Sequence, residues 1–211
     1  MSATLLVLGT KNRKKAEELV DLLALPGVRV ATLADFPPVP DVDETGDTFA
    51  ANAALKAIGY ARAVGAWVLG EDSGIVVDAL KGAPGVYSAR YSGPAATDHS
   101  NNDKLLAELA HTPLEKRTAH YVCRLALADP TGTVRVESGG KCQGRIRFEP
   151  RGTTGFGYDP LFEIVEYHRT FAELGPQIKH VLSHRARAVE AILPELTALL
   201  HEQVAHSGSP D

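Results

Sequence analysis

The apolar run Ala66-Trp67-Val68-Leu69, followed at once by Gly70-Glu71-Asp72-Ser73-Gly74, constrains this chain more than any other segment. Four apolar residues in a row read as a buried strand, so two adjacent carboxylates, a hydroxyl and a glycine are expected where that strand gives way to a turn. Strand ends are where α/β proteins place chemistry. Neighbouring carboxylates repel unless something cationic offsets them, and oxygen-only ligands suit Mg²⁺, which keeps several waters and completes its shell with substrate phosphates. Taken alone, Asp-Ser-Gly is equally the composition of an ordinary acidic turn.

The segments before it alternate in type. Thr4 to Leu8 is an apolar strand, Gly9-Thr10 a turn, and Lys11 to Leu25 carries Ala16, Leu19, Val20, Leu22 and Leu23 at helical spacing before Pro26-Gly27. Val28 to Thr32 reads as a second strand. After a proline-rich loop and an acidic stretch, Asp47 or Thr48 can cap a helix that runs to about Val64 and carries Asn52, Lys56 and Tyr60 on one face. Further on, 97–109 reads as a helix. Ala119 to Ala128 and Thr133 to Phe148 are β-rich runs joined by the turn Asp129-Pro130-Thr131-Gly132. The segment 152–160 is too glycine-rich for regular structure and leads into a short strand at 161–165. Ser183 caps a last helix from His184 to about Leu200, which Pro194 is expected to kink or restart. Residues 1–203 read as one domain and 204–211 as a flexible tail.

Composition removes several functional classes. The 211 residues are 44% hydrophobic and 23% charged, ordinary for a globular protein with a real core. A formal net charge of −4 argues against a surface built to grip nucleic acid. No apolar stretch reaches the ~18 residues of a membrane helix, and no signal-peptide pattern opens the chain, so a cytoplasmic location without membrane partners is expected. Cys123 and Cys142 lack zinc-site spacing and read as reduced and packed.

Other candidate groups surround the acidic pair in sequence. At Thr10 to Lys15 a strand feeds a helix, so amide groups, the Thr10 hydroxyl, Lys11 and Lys15 can converge on a phosphate, although the glycine spacing of a P-loop is absent. The bland reading is a solvated basic first turn. Glu44 can supply a second oxygen ligand, with Asn52 and Lys56 holding phosphate oxygens; alternatively, Glu44 is a loop acid and Lys56 a solvated helix face. Phe156, in its glycine-rich loop, can stack on a planar base or pin the loop to the core, and Asp159 can bond to a base or position its neighbours. Lys179 with Ser183-His184-Arg185 offers donors to acceptor oxygens, though a lone His-Arg pair is more often surface.

Set in order, these blocks resemble the inosine/xanthosine triphosphate pyrophosphatases, which hydrolyse non-standard purine nucleoside triphosphates. The resemblance rests on Thr10-x-Asn12-x-x-Lys15, Glu44-Thr45-Gly46 continuing to Asn52 and Lys56, Asp72-Ser73-Gly74, the run from Gly82 to Tyr91, Gly155 to Pro160, and Lys179 with Ser183-His184-Arg185. It implies a mixed α/β fold, a long twisted central sheet flanked by helices and forming two lobes around a cleft. It further implies a homodimer and Mg²⁺-dependent release of pyrophosphate from ITP, dITP or XTP. By the same resemblance Asp72 is the catalytic carboxylate and a metal ligand, Glu44 a second metal ligand, and Thr10, Lys11, Asn12 and Lys15 a phosphate cradle joined by Asn52 and Lys56. Ser73 becomes a substrate contact, and Phe156, Gly157, Tyr158, Asp159, Lys179, His184 and Arg185 the base pocket. Two departures are visible: Pro176-Gln177-Ile178 stands where members often carry an acidic pair, and Glu71 where many carry Asp. A nucleotide-binding sensor that uses the same groups without hydrolysis is the competing reading, and the intact Glu44 and Asp72 argue against it.

Overall fold

In this computed structural model, which describes residues 3–206, β1 (Thr4–Gly9) pairs in parallel with β2 (Val28–Thr32), Leu6 beside Val30 and Leu8 beside Thr32. Between them α1 (Arg13–Leu22) buries Ala16 and Leu19; it stops short of the expected Leu25. Its amino end is held by Asn12, whose Oδ1 accepts the Lys15 amide at 3.1 Å. α2 (Phe49–Val64) begins at Thr48, whose hydroxyl accepts the Ala51 amide at 3.1 Å, and closes on Gly65 in the left-handed region that glycine adopts without strain. Asn52, Lys56 and Tyr60 lie on its buried face.

β3 (Trp67–Val77) lies on the other side of β1, Leu6 beside Trp67 and Gly9 beside Gly70. The turn expected at Glu71 is not there: the strand continues for 11 residues straight through Glu71, Asp72, Ser73 and Gly74. Nearly every position of β3 is buried, so the ladder has no solvent-seeking point at which to break, and the two charges are met by lysines rather than by water. Gly70 lets α2 press against the strand, since a Cβ there would sit 2.3 Å from the Ala53 carbonyl oxygen.

α3 (Asp98–Glu108) opens in a capping box between Thr97 and Ser100. β4 (Thr118–Ala128) and β5 (Val134–Ile146) follow, then β6 (Phe162–Ile164) and β7 (Arg169–Thr170), the last two antiparallel to their neighbours. The sheet order is β2-β1-β3-β4-β5-β6-β7, a mixed seven-stranded sheet. α4 (Phe171–Leu182) was not anticipated because Gly175 and Pro176 break its pattern; Gly175 is indeed non-helical, at φ 80° and ψ 175°. α5 (His184–His206) runs through Pro194 without restarting. Pro194 and Glu190 are both exposed, so the carbonyl that the proline leaves unbonded faces water. Of the tail expected at 204–211, residues 204–206 belong to α5 and 207–211 lie outside the described residues.

Two compact units make up the chain: Met1–Asp72 with Arg124–Gly139 and Ala188–Asp211, and Ser73–Cys123 with Gly140–Arg187. The first packs α2 against the sheet through Ala53, Ala57, Tyr60, Val7, Val68 and Ala126. The second centres on Phe162, Phe171, Tyr121, Leu105 and Ile75. Cys123 and Cys142 are both buried. No helix among the described residues is long and apolar enough to cross a membrane.

The β4–β5 turn yields a prediction for stability. Burial pushes the Asp129 carboxyl up, but the Thr131 hydroxyl at 2.6 Å, the Thr131 and Thr133 amides and the Arg135 guanidinium at 2.7 Å outweigh it and bring it down to about 2. A folded-state value below the unfolded 3.8 adds stability above the unfolded value and loses it as pH falls through about 2. Asp129→Ala is therefore expected to cost ~1–2 kcal/mol at pH 7, with the difference from wild type closing toward pH 2, as read from denaturant midpoints.

Candidate active site

In the first unit, four elements deliver charged groups to one place. The ammonium of Lys56, on α2, reaches Asp72 Oδ1 at 3.1 Å and Glu44 Oε1 at 3.0 Å, and donates to the Glu71 carbonyl at 3.3 Å. Asn52, one turn earlier, donates from Nδ2 to Asp72 Oδ2 at 3.3 Å and accepts the Gly46 amide at 2.8 Å, which ties the Glu44 loop to the helix. Gly46 allows that approach, because a Cβ there would meet Asn52 Oδ1 at 2.8 Å. From the start of α1, Lys15 reaches Glu71 Oε2 at 3.2 Å.

Burial sets the protonation of this cluster. It raises the Asp72 carboxyl above its ordinary value, against the pull of Lys56 and Lys15, and Glu71 and Glu44 add to the rise. For Lys56 burial disfavours the charge, but Asp72, Glu44 and Glu71 outweigh it and hold the ammonium protonated with a raised pKa. Asp72 is thus a carboxylate near two cations whose affinity for a proton is increased, which suits a general base.

The second unit holds a polar pocket of its own. Asp159 accepts Lys179 Nζ at 2.6 Å and the Phe156 amide at 2.9 Å on one oxygen, and the Tyr121 hydroxyl at 3.3 Å on the other. Lys179 also lies 4.4 Å from the Phe156 ring centroid, and His184 stacks on Tyr121 at 4.6 Å with an 8° interplanar angle. Arg185, 1% exposed, donates from Nη2 to the Ser73 hydroxyl at 3.0 Å. Gly157 presents its carbonyl to Asn102 and Tyr158 its hydroxyl to the Ser88 carbonyl.

Most of the residues singled out in the sequence therefore meet within their own unit: Glu44, Asn52, Lys56, Asp72 and Lys15 in one, Phe156, Asp159, Lys179 and His184 in the other, with Ser73 on Arg185. Lys11 does not join Lys15; it pairs with Asp41 at 2.6 Å and donates to the Val39 carbonyl at 3.0 Å. The Thr10 hydroxyl accepts the Asn12 amide at 3.2 Å. Sequence reasoning missed Tyr121, which carries no motif, and the pairing of Glu71 with Lys15. A fully buried acid beside Asp72 was visible only as an acidic doublet.

The donor set fits a hard divalent ion. Glu44 and Asp72 both face one ammonium, so their oxygens lie close enough to share a hydrated cation, and the ligands are all oxygen. Among the described residues no group of three or more His, Cys, Asp or Glu is arranged to hold an ion alone. Two carboxylates with water and phosphate completing the shell is the manner in which Mg²⁺ is usually bound.

The Ham1 family model matches residues 6–195, and the chain belongs to that family. It is 51% identical over 195 residues to a dITP/XTP pyrophosphatase of Rhodopirellula baltica, covering 92% of this chain and 94% of the relative. A dITP/XTP pyrophosphatase of Geobacillus kaustophilus is 50% identical over 185 residues, covering 87% and 90%. Among solved structures, a HAM1 protein from Coxiella burnetii superposes with a TM-score of 0.82 at 38% identity, covering 94% of this chain and 99% of that one.

Proposed function

We propose that this protein hydrolyses the non-canonical purine nucleotides ITP, dITP and XTP to the monophosphate and pyrophosphate. The observation that carries the reading is the seating of Asp72, a buried carboxylate held by Lys56 and Asn52 with Glu44 on the same ammonium. The names of the similar proteins support the substrate class. In this reading Asp72 takes a proton from the water that attacks the α-phosphorus; the bond to the bridging oxygen breaks and pyrophosphate leaves. Lys15, Lys56 and Asn52 meet the phosphate oxygens, with the amides at the start of α1, oriented by Asn12 and Thr10, as further donors. Lys11 joins them by leaving Asp41, a step that costs little because exposed ion pairs are weak. Mg²⁺ held by Glu44 and Asp72 would supply charge neutralisation of the triphosphate.

The base side follows from hydrogen-bond complementarity. Phe156 stacks on the purine, the Gly157–Tyr158 backbone borders it, and Lys179, His184 and Arg185 donate toward its oxygens, with Asp159 and Ser73 positioning them. A 6-oxo purine satisfies such donors, whereas the 6-amino group of adenine leaves a buried donor facing another. By resemblance to the family, the working form is a cytoplasmic homodimer of one continuous domain over residues 1–203; light scattering on the purified protein would test the dimer.

Product analysis with dITP and Mg²⁺ tests the reading. Stoichiometric pyrophosphate, with dATP turned over ~10²-fold or more slowly, is expected. Orthophosphate would indicate another phosphohydrolase, and binding without either product would favour the sensor.

A further inference from the structure

The proposed chemistry leaves one part of the second unit unused: α3 and the motif Gly82 to Tyr91. Here two successive side chains of α3 reach toward the turn that carries Phe156, Asn102 directly at Gly157 and Asn101 through the Ser88 carbonyl that Tyr158 also uses. Asn102, 7% exposed, donates from Nδ2 to the Gly157 carbonyl at 3.0 Å. Asn101 donates at 3.3 Å to the Ser88 carbonyl, which also accepts the Tyr158 hydroxyl at 2.8 Å. Ser88 is itself fixed: its hydroxyl accepts the Ile75 amide at 2.9 Å and donates to the Gly85 carbonyl at 2.6 Å. That contact exists because Gly74 has no Cβ, which would lie 2.3 Å from Ser88 Oγ.

The turn behaves as a closed unit. Its Asp159 gathers the Phe156 amide and Lys179, the Asp159 amide bonds back to the Phe156 carbonyl at 3.2 Å, and Gly155 and Gly157 adopt positive φ. Bonds from outside set its tilt: at its far end Tyr121 and Lys179 hold the Asp159 carboxylate and the Ala172 amide its carbonyl at 3.3 Å, the Tyr158 hydroxyl meets the Ser88 carbonyl, and at Gly157 the bond comes from Asn102. The orientation of the Asn102 amide is not in question, because a carbonyl only accepts. Its other end, Oδ1, is buried and makes no hydrogen bond among the described residues. An amide satisfied on one side and not on the other adds little to the fold, so its effect lies in where it pins the turn.

We infer that Asn102 is a positioning residue for purine selection: by holding the Gly157 carbonyl it sets the angle at which the Phe156–Asp159 turn presents its stacking ring and its Lys179 to the base. The inference rests on the proposed function. It touches no reacting atom, so its loss acts on discrimination more than on turnover.

The test compares kcat/KM for dITP and dATP in wild type, Asn102→Ala, Asn102→Asp and Asn102→Ser, with the melting temperature of each. Removing the donor (Ala), or setting a carboxylate against the Gly157 carbonyl (Asp), is expected to lower the dITP to dATP ratio about tenfold or more, through a larger rise in KM than fall in kcat for dITP. Ser, which retains a donor at shorter reach, falls between and guards against loss of the fold in the other two. Equal losses on both substrates, leaving the ratio at the wild-type value in the folded variants, overturn the inference alone. Wild-type protein that releases no pyrophosphate from dITP overturns the proposed function and this inference with it.

Discussion

Asp72→Asn is expected to reduce kcat for dITP by roughly 10²–10⁴-fold, the range that a positioned general base contributes, while the protein stays folded. The amide keeps the size and the hydrogen-bonding reach of the side chain but cannot take a proton from water. The fold survives because Lys56 keeps Glu44 at 3.0 Å, so its buried charge remains paired, and because removing one of three close carboxylates relieves repulsion. Single-turnover kinetics with a parallel thermal melt check it. A variant that turns over dITP at the wild-type rate would strip Asp72 of its proposed role.

Lys56→Ala is expected to act on stability as strongly as on catalysis. One ammonium compensates Asp72 and Glu44 and bonds the Glu71 carbonyl, so its loss leaves the buried Asp72 and the partly exposed Glu44 without their main cation. Breaking a buried pair by deleting one partner costs about 3 kcal/mol or more, well above the 0–1 kcal/mol of an exposed pair. Protonation relieves the stranded charge, and burial already raises the Asp72 carboxyl, so the deficit should be largest near neutral pH and shrink as pH is lowered. Urea titrations at several pH values measure this. A deficit independent of pH would mean that lost packing, not lost charge, is responsible.

Local chemistry made much of this molecule readable from its residues. The pair Asp47 and Thr48 announced α2 because either side chain can cap an alanine-rich helical pattern, Thr48 being the one that does, and the i, i+4 spacing puts Asn52 and Lys56 on one face. Ser183 marked the start of α5 for the same reason. Failures arose where tertiary surroundings overrode a local signal. Glu71-Asp72-Ser73-Gly74 has the composition of a turn, yet burial and two lysines from distant helices keep it extended. Gly175-Pro176 masked α4, and Pro194 proved compatible with a helix whose freed carbonyl is exposed.

In the candidate site the pattern is similar. Residue types could be named from motifs, but their pairings could not, because partners such as Arg185 and Ser73 stand 112 positions apart. The commitment of Lys11 to Asp41 and of Lys15 to Glu71 separates two lysines that spacing alone treats as equivalent. Tyr121 escaped notice since nothing in a β-rich run distinguishes a tyrosine that packs from one that also holds a carboxylate and stacks on an imidazole.

Because neighbouring side chains along a strand project to opposite sides, Glu71 and Asp72 serve different masters, Lys15 and Lys56. Slipping this segment by a single position would turn both acids to the wrong faces, put only one of them in the other's place, and turn Ser73 away from its guanidinium. Length changes between Trp67 and Ser73 are thus a kind of frameshift in space, one that no compensating point mutation can repair.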